Sequence, residues 1–267
     1  MSVRTPADGY RAPSRLELVA LNHIPLARAG DQPASLVIDA LAPNKLSLQS
    51  GDAIVIAQKL ISKCEDRLIN LASVEASARA TELAVRTGKD PRLVELILRE
   101  SKEVLRVGRE VIIVEHRNGF VLANAGIDLS NANADGGATQ ALLLPLDADA
   151  SAARIRAALR SRCGVDCAVL IIDSIGRAWR RGGVGQTLGA SGLPVLVDLR
   201  GRRDLYGRAL RSTDVAHADE LAAAASILMG QADEARPVVL VRGLVSTNDC
   251  EQTAVALQRP RAEDLFR

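Results

Sequence analysis

The sequence predicts a mixed α/β fold of the α+β type, with mostly antiparallel or mixed sheets and flanking helices. Three observations carry this. Short apolar runs of strand length recur along the chain, helical stretches rich in good helix formers lie between them, and two of the runs are joined by a hairpin turn. A steady strand–helix alternation, the mark of a wholly parallel sheet, is missing. Residues 52–57 (DAIVIA) read as a buried strand, followed directly by Gln58, Lys59 and Lys63. Residues 75–86 are Ala-rich and helical in pattern. Asp90-Pro91 reads as an N-cap with proline at the first helical position, opening a helix to about Ser101. Residues 110–115 (EVIIVE) and 120–123 form a hairpin closed by Arg117-Asn118-Gly119. Residues 151–160 are helical, and residues 167–172 (CAVLII) are a strand ending at Asp173. Residues 180–192 and 198–207 are Gly- and Arg-rich and are expected to be loops. Residues 214–229 form a helix with Gly230 at its C-cap, and residues 237–241 (PVVLV) a last strand closed by Arg242-Gly243. On this reading residues 1–14 are a disordered leader, residues 15–172 and 212–267 a main domain, and residues 173–211 a smaller segment.

Composition narrows the function classes. Of the 267 residues 48% are hydrophobic but only 2% aromatic, so the core must be built from Ala, Val, Leu and Ile. A net charge of +2 is too small for wholesale binding of a phosphate backbone, and no nucleic-acid partner is expected. The apolar runs fall far short of the roughly 20 residues a bilayer crossing needs, so no membrane association is expected. The polar start carries no signal-peptide pattern, and the four cysteines (Cys64, Cys163, Cys167, Cys250) are too scattered for a disulfide scaffold. A cytoplasmic protein is expected. Eight arginines fall within residues 177–211; they either meet an acidic small molecule or form a solvated face.

Several familiar sites are absent. There is no P-loop, no dinucleotide G-x-G-x-x-G, no H-E-x-x-H and no G-x-S-x-G. What remains is oxygen chemistry at strand ends. Asp173-Ser174 delivers a carboxylate and a hydroxyl, hard ligands that suit magnesium or manganese, though a strand-terminal Asp also caps turns. Residues 124–131 (NAGIDLSN) gather Asp128 and two amides beside Gly126, either a second metal-facing acid or a plain turn. Lys59 and Lys63 share a face if their stretch is helical and could hold phosphates as point charges; otherwise they are surface lysines. Trp179 and Tyr206 sit in basic loops, suited either to stacking on a flat heteroaromatic ligand or to covering a loop's apolar underside. Gln231, in the acidic stretch 230–234, offers one more carbonyl oxygen.

Taken in order, these segments resemble one family, the coenzyme F420:L-glutamate ligases, also called F420-0:gamma-glutamyl ligases. The similar stretches include residues 21–26 (LNHIPL), 57–63 (AQKLISK), 124–131, 173–182 (DSIGRAWRRG), 198–208, 218–220, 228–230 and 241–244. Ser174 stands where an archaeal form has Thr, and Gln231 where such forms have Glu. The resemblance implies an intertwined homodimer that binds GTP without a P-loop and uses two divalent ions, magnesium or manganese, per subunit, aided by potassium. It implies that Asp128 and Asp173 hold one divalent ion and Ser174 and Gln231 the second. Ile24, Pro25, Leu26, Gln58, Lys59, Lys63, Asn131 and the loop from Met229 through Gly230, Ala232 and Asp233 to Arg236 would surround GTP. The implied reaction joins L-glutamate to the lactyl carboxylate of an acidic deazaflavin, with Asp128, Asp173 and Arg177 in catalytic roles and residues 173–211 facing that substrate. Two other classes stay open: a non-catalytic GTP-binding protein and a deazaflavin-dependent oxidoreductase.

Overall fold

A computed structural model describes residues 5–6, 10–129, 140–244 and 251–265. The chain begins with β1 (Thr5–Pro6), β2 (Glu17–Ala20), α1 (Pro33–Leu41), β3 (Ala53–Ala57), α2 (Gln58–Cys64) and β4 (Leu68–Asn70). Next come α3 (Ala78–Thr87), α4 (Pro91–Arg99), β5 (Ser101–Gly108), β6 (Val111–His116), β7 (Val121–Ala123) and β8 (Gln140–Leu142). The rest comprises α5 (Ala148–Cys163), β9 (Ala168–Arg177), β10 (Arg180–Ser191), β11 (Val197–Asp198), β12 (Asp214–Val215), α6 (His217–Met229) and β13 (Val238–Arg242). The architecture is α+β, as the sequence predicts.

A five-stranded sheet in the order β10-β9-β3-β13-β2 organises the larger lobe. Its β3–β9 pair is parallel and the other pairs are antiparallel. Side chains alternate across it. Ile54, Ile56, Val169, Ile171 and Leu240 pack with α1, α2 and α5 on one face. Val55, Leu170, Ile172, Val239 and Val241 pack with the Ala-rich α6 on the other. Covered on both sides, the central strands are apolar throughout the stretch they share, residues 53–57, 168–172 and 238–241, which explains their unbroken hydrophobic runs. Each fully buried Val, Leu or Ile contributes about 1.5–3 kcal/mol of burial. With few aromatics to fill space, this core relies on small residues and close approach. A methyl group at Gly185 would overlap the Ala222 carbonyl, so the glycine lets α6 lie against β10.

A smaller lobe packs α3 and α4 on the β5-β6-β7 sheet through Leu83, Val94, Ile97, Ile112 and Val114. Its helix starts follow local rules. Ser77 caps α3 through Ala80 N at 3.2 Å, and Asp90 caps α4 through Arg92 N at 2.8 Å with Pro91 at the first turn. The expected hairpin closes as Val111–His116 paired with Val121–Ala123. The two lobes are clamped by Arg67, which donates to the Glu100 carboxylate at 2.8 Å and to the Leu144 carbonyl at 2.9 Å.

Several boundaries differ from expectation. The strand read as ending at Asp173 runs on to Arg177, because residues 180–192, read as a loop, supply its partner β10. Glycine lowers strand propensity, but here the ladder and two packed helices override it. β9 therefore runs unbroken across residues 172 and 173. Helix α6 starts at His217 because Asp214–Val215 pairs with β11, and α5 spans 148–163, three residues longer at each end than residues 151–160. Strand β5, which the sequence reading missed, follows α4 directly and pairs with β6 as a hairpin turned at Arg109-Glu110. Of the expected leader, residues 1–4 and 7–9 lie outside the described residues; Thr5–Pro6 pairs in parallel with β11, and Tyr10 packs edge-on against His217. Among the described residues no helix is long and apolar enough to cross a membrane.

Candidate functional site

Strand β3 ends at Ala57 beside Ile172 of the parallel strand β9, which runs on, and a cavity of about 490 Å3 opens beyond the end of β3. Four stretches of chain form its wall: residues 24–27, the start of α2, the middle of β9, and the end of α6 with the loop that leads into β13. Backbone bonds tie these walls together. Leu21 N donates to the Val238 carbonyl at 2.8 Å, and Ala57 N to the Pro237 carbonyl at 2.8 Å. Behind them Arg242 grips the buried Asp52 at 2.9 and 2.7 Å, joining two segments 190 positions apart.

Alternation along β9 separates Asp173 from Ser174. Their neighbours Ile172 and Ile175 belong to opposite cores, so the two side chains leave opposite faces of the strand. The pair does not act as a single carboxylate–hydroxyl unit. Asp173 faces the α2 side, where Lys59 forms an ion pair with Asp128. Ser174 belongs to the α6 side, where Gly185 N donates to the Ser226 hydroxyl at 3.3 Å.

The electrostatics of the α2 side are unsettled. Burial raises the pKa of Asp173 and the nearby Asp128 charge raises it further, against the Ser174 N–H and Lys59. Burial lowers the pKa of Lys63, as does Lys59, against Asp128. Gln58 is 1% exposed and is fixed by Ser62 donating to its Oε1 at 2.8 Å. Its Nε2 has no hydrogen-bond partner in good geometry, although it lies close enough to Asp173 to favour that charge.

Asp128 is delivered by a left-handed turn. Asn124, Ala125 and Gly126 have φ of 52°, 54° and 66°, and Asn124 Oδ1 accepts from Ile112 N at 3.0 Å. A Cβ on Gly126 would come within 2.8 Å of Leu144, so the backbone approach read from the sequence is real. Asp128 then bridges to Leu142 through two backbone bonds of 3.0 and 2.9 Å. On the other wall Gly230 ends α6 with φ 72° and ψ −175°, a region almost reserved for glycine. The Glu234 carboxylate folds over it and accepts from Ala232 N at 2.9 Å, shaping the loop.

The cavity gathers Ile24, Pro25, Leu26, Gln58, Lys59, Lys63, Asp173, Ser174, Met229, Gly230, Gln231, Ala232, Asp233 and Arg236. Asp128 joins through Lys59, and Asn131 lies outside the described residues. Arg177 sits at the far end of β9 and does not line the cavity. Nor do Trp179 and Tyr206, which are 88% and 87% exposed. Sequence reasoning missed Ser226, which lines the cavity from α6. Its only signal was a hydroxyl in an otherwise apolar run. Glu234, three residues beyond Gln231 in the loop that the resemblance puts around GTP, lines the cavity as well.

Among the described residues no group of three or more His, Cys, Asp or Glu could hold a metal by itself. The expected set of Asp128, Asp173, Ser174 and Gln231 offers two carboxylates, one hydroxyl and one amide carbonyl, and Ser226, Asp233 and Glu234 add oxygens to the same wall. An acid whose proton affinity is raised by burial and by a second acid nearby, in a wall that also offers neutral oxygens, fits a hard cation that completes its shell from a bound anion and water.

The chain matches known proteins over nearly its whole length. The family model described as F420-0:gamma-glutamyl ligase matches residues 22–243. A protein of Methanothermobacter thermautotrophicus called coenzyme F420:L-glutamate ligase is 48% identical over 253 residues, covering 94% of this chain and 99% of the relative. Proteins of the same name from Methanopyrus kandleri and Methanocaldococcus jannaschii are 45% and 41% identical, over 94% and 95% of this chain and 99% and 97% of the relatives. At such identities the fold and the family are shared, and the chain belongs to the F420-0:gamma-glutamyl ligase family.

Proposed function

We propose that this protein is a GTP-dependent acid–amino-acid ligase that joins L-glutamate to the lactyl carboxylate of the coenzyme F420 precursor. The observation that carries the reading is the cavity: a nucleotide-sized space with an apolar wall at residues 24–27, two lysines, and carboxylates on its rim. The names of its relatives supply the acceptor and the amino acid.

Amide formation from a carboxylate in water is uphill, so the acid must first be activated. The substrate's carboxylate oxygen attacks the γ-phosphorus of GTP; the new O–P bond forms as the bond to the β–γ bridging oxygen breaks, releasing GDP. The amine of glutamate then attacks the acyl phosphate carbon. Phosphate leaves, the amine loses a proton, and the amide remains. Pro25, Leu26 and Met229 would shelter the base, and Lys59 and Lys63 would hold phosphate oxygens as point charges. Asp173 and Asp128, with Ser174 and Gln231 on the opposite wall, would hold two divalent ions, which offset the charge of the triphosphate when bound. Gln58 would keep Asp173 ionised and oriented.

The test is product analysis by mass spectrometry with the unglutamylated coenzyme, GTP and glutamate. Glutamylated product and GDP are expected only when all three are present, with Asp173→Ala abolishing both. GTP binding without substrate-dependent GDP would leave a nucleotide sensor instead. Turnover in Asp173→Ala would remove that residue from the mechanism.

A further inference from the structure

The face of the β9–β10 hairpin that carries Ser174 is almost bare. In register, Ser174 lies opposite Gly185, and Gly176 opposite Gly183. Four positions on one face thus hold three glycines and one hydroxyl. The glycines have different reasons. Gly185 is bare because helix α6 lies on it, and Gly176 has open space around it. Gly183 differs from both. A Cβ there would stand 2.8 Å from Ser174 Oγ, while its next neighbours, the Ser174 carbonyl carbon and oxygen, lie at 3.7 and 3.8 Å, ordinary contact distances. Gly183 does not have the positive φ that would itself require glycine. Nothing in the backbone or the core forbids alanine; only the serine hydroxyl does.

We propose that Gly183 is a positioning residue for the reaction: by carrying no side chain it lets the Ser174 hydroxyl keep the rotamer it holds beside the cavity. The inference rests on the ligase reading above and adds to it a residue that does not line the cavity. A methyl at 2.8 Å from the free end of a serine is relieved by turning χ1, a movement among staggered wells that leaves the strand in place. Gly183→Ala therefore moves one oxygen and little else, and a misplacement of about 1 Å in a reacting site can cost on the order of 100-fold in rate.

The experiment measures binding of a non-hydrolysable GTP analogue with magnesium by calorimetry, and kcat and KM for glutamate ligation. It compares wild type, Gly183→Ala, Ser174→Ala, the double variant, and Gly176→Ala. Gly183→Ala is expected to melt within about 2 °C of wild type and to lose roughly tenfold or more in kcat/KM. The double variant should be no worse than Ser174→Ala alone, since the glycine acts only through that hydroxyl. Gly176→Ala, whose methyl enters open space, should match wild type. Full activity in Gly183→Ala, or losses that multiply in the double variant, overturn the inference. Wild-type protein that neither binds the analogue nor ligates glutamate would instead sink the reading beneath it.

Discussion

Around Glu100 the protein gathers Arg67, Arg117 and His116; around Asp173 it gathers Lys59, Lys63 and Asp128. Both clusters bury charge next to opposite charge, but they settle it differently. Burial alone would raise the Glu100 pKa. The bonds from Arg117 at 2.6 Å and Arg67 at 2.8 Å, with His116 Nε2 at 3.6 Å, outweigh it and hold the carboxyl at about 2. In the cavity burial wins on both signs: Asp173 is pushed up and Lys63 down. Glu100 has found its counter-charge inside the protein. In the cavity the neighbouring charges do not offset the cost of burial at Asp173 and Lys63, the condition of a site that a charged ligand completes.

That contrast makes predictions that separate the clusters. The largest effect is expected from Asp173→Asn, which should lower ligase turnover by about 100- to 1,000-fold, the range for removing one preorganised electrostatic group. Because it removes a carboxylate that burial disfavours, its melting temperature should not fall. A marked loss of stability would mean that Asp173 is structural after all.

Glu100→Gln should show the reverse. Leaving Arg67 and Arg117 without their shared carboxylate should cost about 3 kcal/mol in urea unfolding, with kcat of the folded protein unchanged. The pH dependence follows from the same shift. The folded carboxyl titrates near 2 and the ordinary value is 4.5, so its contribution is complete above about pH 4.5 and is lost as pH falls towards 2. A difference of this size is worth about 3 kcal/mol. Urea midpoints measured from pH 5 down to 3 should drop more steeply in wild type than in Glu100→Gln; parallel curves would show that Glu100 does not dominate acid loss.

The smallest effect concerns Lys63. Lys63→Met keeps the aliphatic stem but removes a charge that burial penalises. KM for GTP should rise roughly tenfold, a single charge contact to phosphate, with the melting temperature equal or higher. An unchanged KM would place the phosphates elsewhere in the cavity.

Much of this was readable before folding. The DAIVIA run became β3 because an unbroken apolar strand must be covered on both faces. Asp90-Pro91 opened α4 because capping is a local matter. Lys59 and Lys63 do share a short helix. Where the reading failed, the cause lay in pairing and packing that a segment's own composition does not show. Residues 180–192 look like a loop to any scale of propensity, and only pairing with β9 and the weight of α5 and α6 make them a strand. Arg177 entered through the resemblance and Trp179 and Tyr206 as rings in basic loops; none of them lines the cavity, because β9 runs on past Asp173 and carries Arg177 away from it, and both rings are exposed.

The sequence by itself determined the α+β class, the inventory of oxygen and lysine groups, and the membership of its segments in one family. It did so because strand-length apolar runs, caps and ordered motifs are properties of neighbouring residues. Which groups meet was decided by the tertiary structure alone. The two-residue period of a strand sends Asp173 and Ser174 to opposite faces, and the parallel β3–β9 pairing brings Asp173 beside Lys59 although 114 positions separate them in the chain. No rule of local spacing contains that fact, because it is fixed by which strands share hydrogen bonds and which face each core covers.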